Sequence, residues 1–134
     1  IAVALASFIS TISEYGSEQA FKNLQNKENK SLIHGKLGAK IAEIDFGYDE
    51  EICDAIRYHT TGRANMSLLE KIILVADCTG ADREYDNAKY MHELALESLD
   101  KAIIYYYKVF LQDRLENEKI IHPDAINAYN YLVK

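Results

Sequence analysis

The sequence predicts an all-α protein, on three observations. One proline and six glycines in 134 residues leave little loop punctuation. Apolar residues recur three and four positions apart along most of the chain. No stretch alternates apolar and polar residues as a half-buried strand does, and no repeat or coiled-coil heptad is present. With 49% hydrophobic residues, residues 1–134 read as one domain able to bury a core without staples.

The elements follow in order. Residues 2 to 15 read as a buried helix closed by Gly16. The polar stretch Gln25-Asn26-Lys27-Glu28-Asn29-Lys30 reads as a solvated loop, with Ser31 available to cap the next helix. That helix carries Leu37, Ile41 and Phe46 and stops at Gly47. Asp49 suits the N-cap of a helix holding Ile52, Ala55 and Ile56, which ends before Gly62. Ser67 caps a helix from Leu68 to Asp77, followed by a polar turn at Thr79-Gly80. From Asp86 to Leu115 the pattern is that of one long helix, with Leu94, Leu99, Ile103, Tyr106 and Phe110 along it. His122-Pro123 starts a last helix, since proline suits the first helical position.

A net charge of −6 and a pI near 5.2 argue against general nucleic-acid or membrane-surface binding, which call for a basic stripe. An anionic ligand needs only local cations and stays open. Cys53 and Cys78 have neither metal-type spacing nor a disulfide framework, which fits a reducing cytoplasm. The apolar start Ile1-Ala2-Val3-Ala4-Leu5-Ala6-Ser7-Phe8-Ile9 is too short to span a bilayer. It also lacks the basic start and cleavage site of a signal peptide.

Three polar side chains fall on faces expected to pack. Residues three, four and seven apart share a helix face, which groups His34 with Leu37, Gly38 and Ile41. The same spacing groups His59 with Ile52, Ala55 and Ile56, and Asp77 with Leu69 and Ile73. A neutral polar group buried without a partner costs about 2–7 kcal/mol. Taken singly, each histidine reads as a satisfied core residue and Asp77 as a surface or ion-pair group. Taken together, imidazole and carboxylate suit a shared iron, zinc or manganese ion. Beside them, Thr60, Thr61 and Gly62 offer hydroxyls and backbone N–H groups to a phosphate, and Arg63 offers a bidentate fork. Arg63 could instead pair with Glu70, while Lys36 and Arg83 are further cations that in isolation read as surface residues. His92 shares a face with Ala88, Ala95, Leu96 and Leu99 and reads as core packing, as does the run Tyr105-Tyr106-Tyr107.

The stretch from Leu32 to Lys134 resembles the YqeK family, a branch of the HD-domain metal-dependent phosphohydrolases. The motifs that carry the resemblance are Leu32-Ile33-His34-Gly35-Lys36, Ala55-Ile56-Arg57-Tyr58-His59-Thr60-Thr61-Gly62-Arg63 and Met66-Ser67-Leu68-Leu69-Glu70-Lys71-Ile72-Ile73. Shorter matches are Ala76-Asp77, Leu99-Asp100-Lys101-Ala102 and Ile121-His122-Pro123. The resemblance implies an HD-like helical bundle that cleaves diadenosine tetraphosphate symmetrically into two ADP. It implies two metal ions, iron favoured, with His34, His59 and Asp77 among the ligands. Thr60, Thr61, Gly62 and Arg63 would form the phosphate-binding segment, and a metal-activated water rather than a side chain would attack. Lys36 and Arg83, close in sequence to His34 and Asp77, are candidate further cations for the substrate.

The family's early His and its His-Asp pair have no counterpart here and are expected just upstream of Ile1, a start that lacks an initiator Met. Val3 stands where the family has a basic residue, and Thr79-Gly80-Ala81-Asp82-Arg83 replaces its Glu-Pro-Gly-Arg turn. Two other functions remain open: an HD phosphohydrolase of another nucleotide, and a degenerate nucleotide-binding or interaction module without hydrolysis. A homodimer through the long helix is a further expectation.

Overall fold

The structure, a computed structural model, describes residues 30–79 and 86–134. The expected helix over 2–15, its closing Gly16 and the cation Arg83 lie outside them. The described residues form six α-helices and no strand. Contacts divide the chain after Arg57 into two compact units.

The first unit holds α1 (Lys30–Phe46) and α2 (Glu50–Arg57). Helix α1 begins at Lys30, so Ser31 lies inside its first turn rather than capping it. It stops at Gly47, whose φ of 64° takes the chain out of the helix at a value glycine adopts without strain. Asp49 then caps α2, its Oδ1 accepting from the Ile52 amide at 3.1 Å. Glu50 and Glu51 in the first turn and Arg57 in the last complement the helix dipole. The two helices pack through small side chains, Gly35, Gly38, Ala39 and Ala42 being buried on α1. Gly35 sets the approach, because a Cβ there would stand 2.8 Å from the Arg57 carbonyl oxygen. The buried Asp54 pairs with Arg57 one turn later on α2.

The second unit holds α3 (Leu68–Cys78), α4 (Asp86–Glu97), α5 (Leu99–Glu116) and α6 (Pro123–Leu132). Helix α5 is central, packing against each of the other three. Its Ile103 and Tyr107, with Leu74 of α3, are the largest fully buried side chains among the described residues. Burying an aliphatic side chain of that size is worth about 1.5–3 kcal/mol. Met66, Val75, Met91, Ala102, Ala125 and Ala128 complete this core.

Capping decides the boundaries. Ser67 and Glu70 form a reciprocal capping box at the start of α3: the Glu70 amide donates to Ser67 Oγ at 3.2 Å, and the Ser67 amide donates to Glu70 Oε2 at 2.6 Å. At its end the Thr79 hydroxyl donates to the Val75 carbonyl at 2.8 Å. His122 caps α6, Nδ1 accepting from the Asp124 amide at 3.1 Å, with Pro123 next in line. The single long helix expected over 86–115 is two. Ser98 adopts an extended backbone between α4 and α5 and caps the second through its hydroxyl. Short hydroxyl residues compete for backbone groups in this way, and continuous apolar spacing hides the break.

Two packing expectations are also corrected. His92 is exposed on α4, and Leu96 of the same stripe is 79% exposed, so neither is core. On α3 the buried side is Glu70, Leu74 and Val75 rather than Leu69–Ile73–Asp77, with Ile72 and Ile73 exposed. Glu70 can occupy a buried position because its carboxylate is fully bonded.

Candidate functional site

The residues after α2 build the site. Tyr58 to Thr61 form a turn, closed by the Gly62 amide donating to the Tyr58 carbonyl at 2.8 Å. His59 was expected on the apolar face of a helix and instead sits in this turn, two residues past the end of α2. It is nonetheless buried, at 7% exposure, because the turn is folded into the unit. Thr60 and Thr61 are half-buried, and the Thr61 hydroxyl donates to the Gly62 carbonyl at 3.0 Å.

Gly62 is held by two constraints. Its φ is +66°, and a methyl at its Cα would overlap the Tyr107 hydroxyl. With its amide already bonded within the turn, its contribution is shape. Tyr107 Oη donates to the Thr61 carbonyl at 2.7 Å, and the neighbouring Tyr106 Oη donates to the Thr60 carbonyl at 3.4 Å. Burial pushes both tyrosine hydroxyls well above their ordinary range. Both therefore stay protonated and remain donors at neutral pH.

Arg63 follows the turn and takes the ion-pair option. Its Nε and Nη2 donate to Glu70 at 2.7 and 3.1 Å, and the guanidinium lies 5.0 Å from the Tyr58 ring centre. Burial raises the Glu70 pKa, but the Arg63 and Ser67 hydrogen bonds outweigh it and hold the carboxyl below its ordinary value.

Asp77 is half-buried in the last turn of α3. Its charge contributes, behind burial, Cys78 and Tyr107, to the upward shift of the Tyr106 hydroxyl. His34 and Lys36 belong to α1 of the first unit, half-buried and exposed respectively. Among the described residues no group of three His, Cys, Asp or Glu side chains is arranged to hold a metal ion. Taken by residue type alone, His34, His59 and Asp77 are imidazole and carboxylate donors of the kind a divalent first-row ion takes. Both cysteines are free thiols, and among the described residues no helix is long and apolar enough to cross a membrane.

The sequence pattern missed the role of the tyrosines. Consecutive helical residues point about 100° apart, so three tyrosines in a row cannot all serve one face. Tyr105 indeed turns away, donating to Asn87 Oδ1 at 2.7 Å, while Tyr106 and Tyr107 reach the His59 turn.

The described residues are all helical, with the buried His59 turn held to α5 by two tyrosine hydroxyls, and likeness to known proteins supplies the class. No protein-family model matches the chain. It is 38% identical over 106 residues to the symmetrical bis(5'-nucleosyl)-tetraphosphatase of Bacillus subtilis, covering 78% of this chain and 57% of the relative. It is also 38% identical over 103 residues to the protein of the same name from Halalkalibacterium halodurans, covering 76% and 55%. A crystal structure from Clostridium acetobutylicum, described as a predicted HD superfamily hydrolase involved in NAD metabolism, matches with a TM-score of 0.74 and 32% identity. That match covers 96% of this chain and 67% of the other. The chain therefore belongs to the HD superfamily of hydrolases, in its YqeK-like branch. It spans just over half the length of the curated relatives, 57% and 55%. Hydrolases with this domain are generally dependent on divalent metals.

Proposed function

We propose that the protein hydrolyses diadenosine tetraphosphate symmetrically, releasing two ADP. The observation that carries this reading is the buried His59 turn, whose Thr60 and Thr61 carbonyls accept from Tyr106 and Tyr107. The name borne by relatives at 38% identity supports the substrate. In the reaction water adds to one of the two central phosphorus atoms, the central P–O–P bridge breaks, and the bridging oxygen leaves on the second ADP.

His34, His59 and Asp77 would hold metal, with two ions and iron favoured. When bound, the metal lowers the pKa of a water and neutralises phosphoryl charge. The chain's own groups do the rest. Thr60 and Thr61 would orient the polyphosphate from a backbone held by the Tyr107 hydrogen bond, and Arg63, already paired with Glu70, is the next cation in the chain. Lys36 and Arg83 are further cations for the substrate. A reducing cytoplasm suits the free Cys53 and Cys78.

The second reading is an HD phosphohydrolase of a different nucleotide, and the NAD-related description of the clostridial relative favours it. A panel of diadenosine tetraphosphate, guanosine polyphosphate, deoxynucleoside triphosphates and dinucleotides such as NAD separates the two. The first reading expects diadenosine tetraphosphate to give the highest kcat/KM, with ADP as sole product. Preferential turnover of another member would replace it.

A further inference from the structure

We propose that Tyr106 and Tyr107 are positioning residues, a pair of hydroxyls on α5 that fixes the polyphosphate-binding turn by its backbone. The inference rests on the functional reading above for what the turn binds, and on geometry alone for the clamp. Two consecutive carbonyls, of Thr60 and Thr61, accept from two consecutive tyrosines, at 3.4 and 2.7 Å.

Each ring is braced so that its hydroxyl has one direction to point. Tyr106 stacks on Phe110 with ring centres 5.5 Å apart and planes at 25°, and Arg114 lies 4.9 Å from the Phe110 ring centre. Tyr107 is fully buried and meets Tyr129 edge-on, with centres 6.4 Å apart. Phenylalanine would pack a core at least as well, because a buried hydroxyl must be bonded to avoid a penalty. Here the bonds go to the main chain of the turn that carries His59, Thr60 and Thr61. Gly62 completes the fit, since any larger residue would displace the Tyr107 hydroxyl. The binding groups thus come from a loop, but their backbone is referenced to the central helix of the unit.

The test compares Tyr106→Phe, Tyr107→Phe and the double variant with Ile103→Val, a methylene deletion in the same core that touches none of these bonds. Amide hydrogen exchange at Gly62, whose N–H closes the turn, reports the clamp directly. Steady-state hydrolysis of diadenosine tetraphosphate by the protein at its full genomic length reports its use. Tyr107→Phe should speed Gly62 exchange and raise KM, each about tenfold, the loss of one buried hydrogen bond. Tyr106→Phe should do so less, its bond being longer. Ile103→Val should lower Tm without moving KM. Unchanged Gly62 exchange and KM in the double variant would overturn the proposal. Faster Gly62 exchange in a protein whose wild type cleaves no diadenosine tetraphosphate would uphold the clamp and overturn the functional reading.

Discussion

Replacing Gly62 by alanine should be severe alone and mild when Tyr107 has lost its hydroxyl. The added Cβ meets three atoms: the Tyr107 hydroxyl, which it overlaps, Met66 Sδ at 3.3 Å and Ala128 Cβ at 3.4 Å. The last two are tight but flexible or tolerable, so the hydroxyl is the obstacle. Holding alanine at φ +66° costs about 1–2 kcal/mol in any background. Driving the hydroxyl off the Thr61 carbonyl adds about 1–3 kcal/mol by leaving a buried acceptor unpaired. Gly62→Ala should therefore cost about 2–5 kcal/mol in the wild type and about 1–2 in Tyr107→Phe. The difference, a coupling of about 1–3 kcal/mol, is what a double-mutant cycle measures. Urea unfolding followed by tyrosine absorbance serves as the assay, the chain having no tryptophan. A coupling below about 0.5 kcal/mol would show that the hydroxyl does not set the space at Gly62 and would refute the reasoning.

Other outcomes follow from single groups. Because the folded Glu70 pKa lies below its ordinary value of 4.5, its ion pair stabilises the fold fully above that pH and is lost as pH falls through the folded pKa. Glu70→Gln should cost about 1–3 kcal/mol at pH 7 and flatten the acid side of the stability profile, read from urea midpoints between pH 3 and 7. Gly35→Ala should destabilise the first unit by about 1–3 kcal/mol despite better helix propensity, because its neighbour at 2.8 Å is backbone and cannot swing aside. Circular dichroism melts check this. Exposed His92→Ala should change stability by less than about 0.5 kcal/mol and leave turnover unaltered, as thermal melts and hydrolysis assays can show.

Much of this was written in the sequence, and what was hidden has physical causes. Caps are local chemistry, so Asp49, Ser67 and His122 announced the starts of α2, α3 and α6. Ser98 carried the same signal, yet the apolar spacing on either side stayed in phase and concealed the break. Apolar periodicity predicted helices better than their buried sides. On α3 the charged Glu70 faces inward, since Arg63 and Ser67 satisfy it, while Ile72 and Ile73 face out. His59 owed its burial to a turn rather than a helix face, which no periodic pattern registers. Arg63 and Glu70 were legible as a pair seven residues apart, but the reach of Tyr106 and Tyr107 spans 46 positions and depends on the tertiary fold.

The most direct test of the central claim is product analysis. The protein at its full genomic length, loaded with iron, is given diadenosine tetraphosphate alongside its His59→Ala and Asp77→Ala variants, and nucleotides are resolved by ion-exchange chromatography. The account predicts ADP as the sole nucleotide product of the wild type, with turnover abolished in both variants. ATP with AMP in equal amounts, or wild-type turnover in either variant, would contradict it.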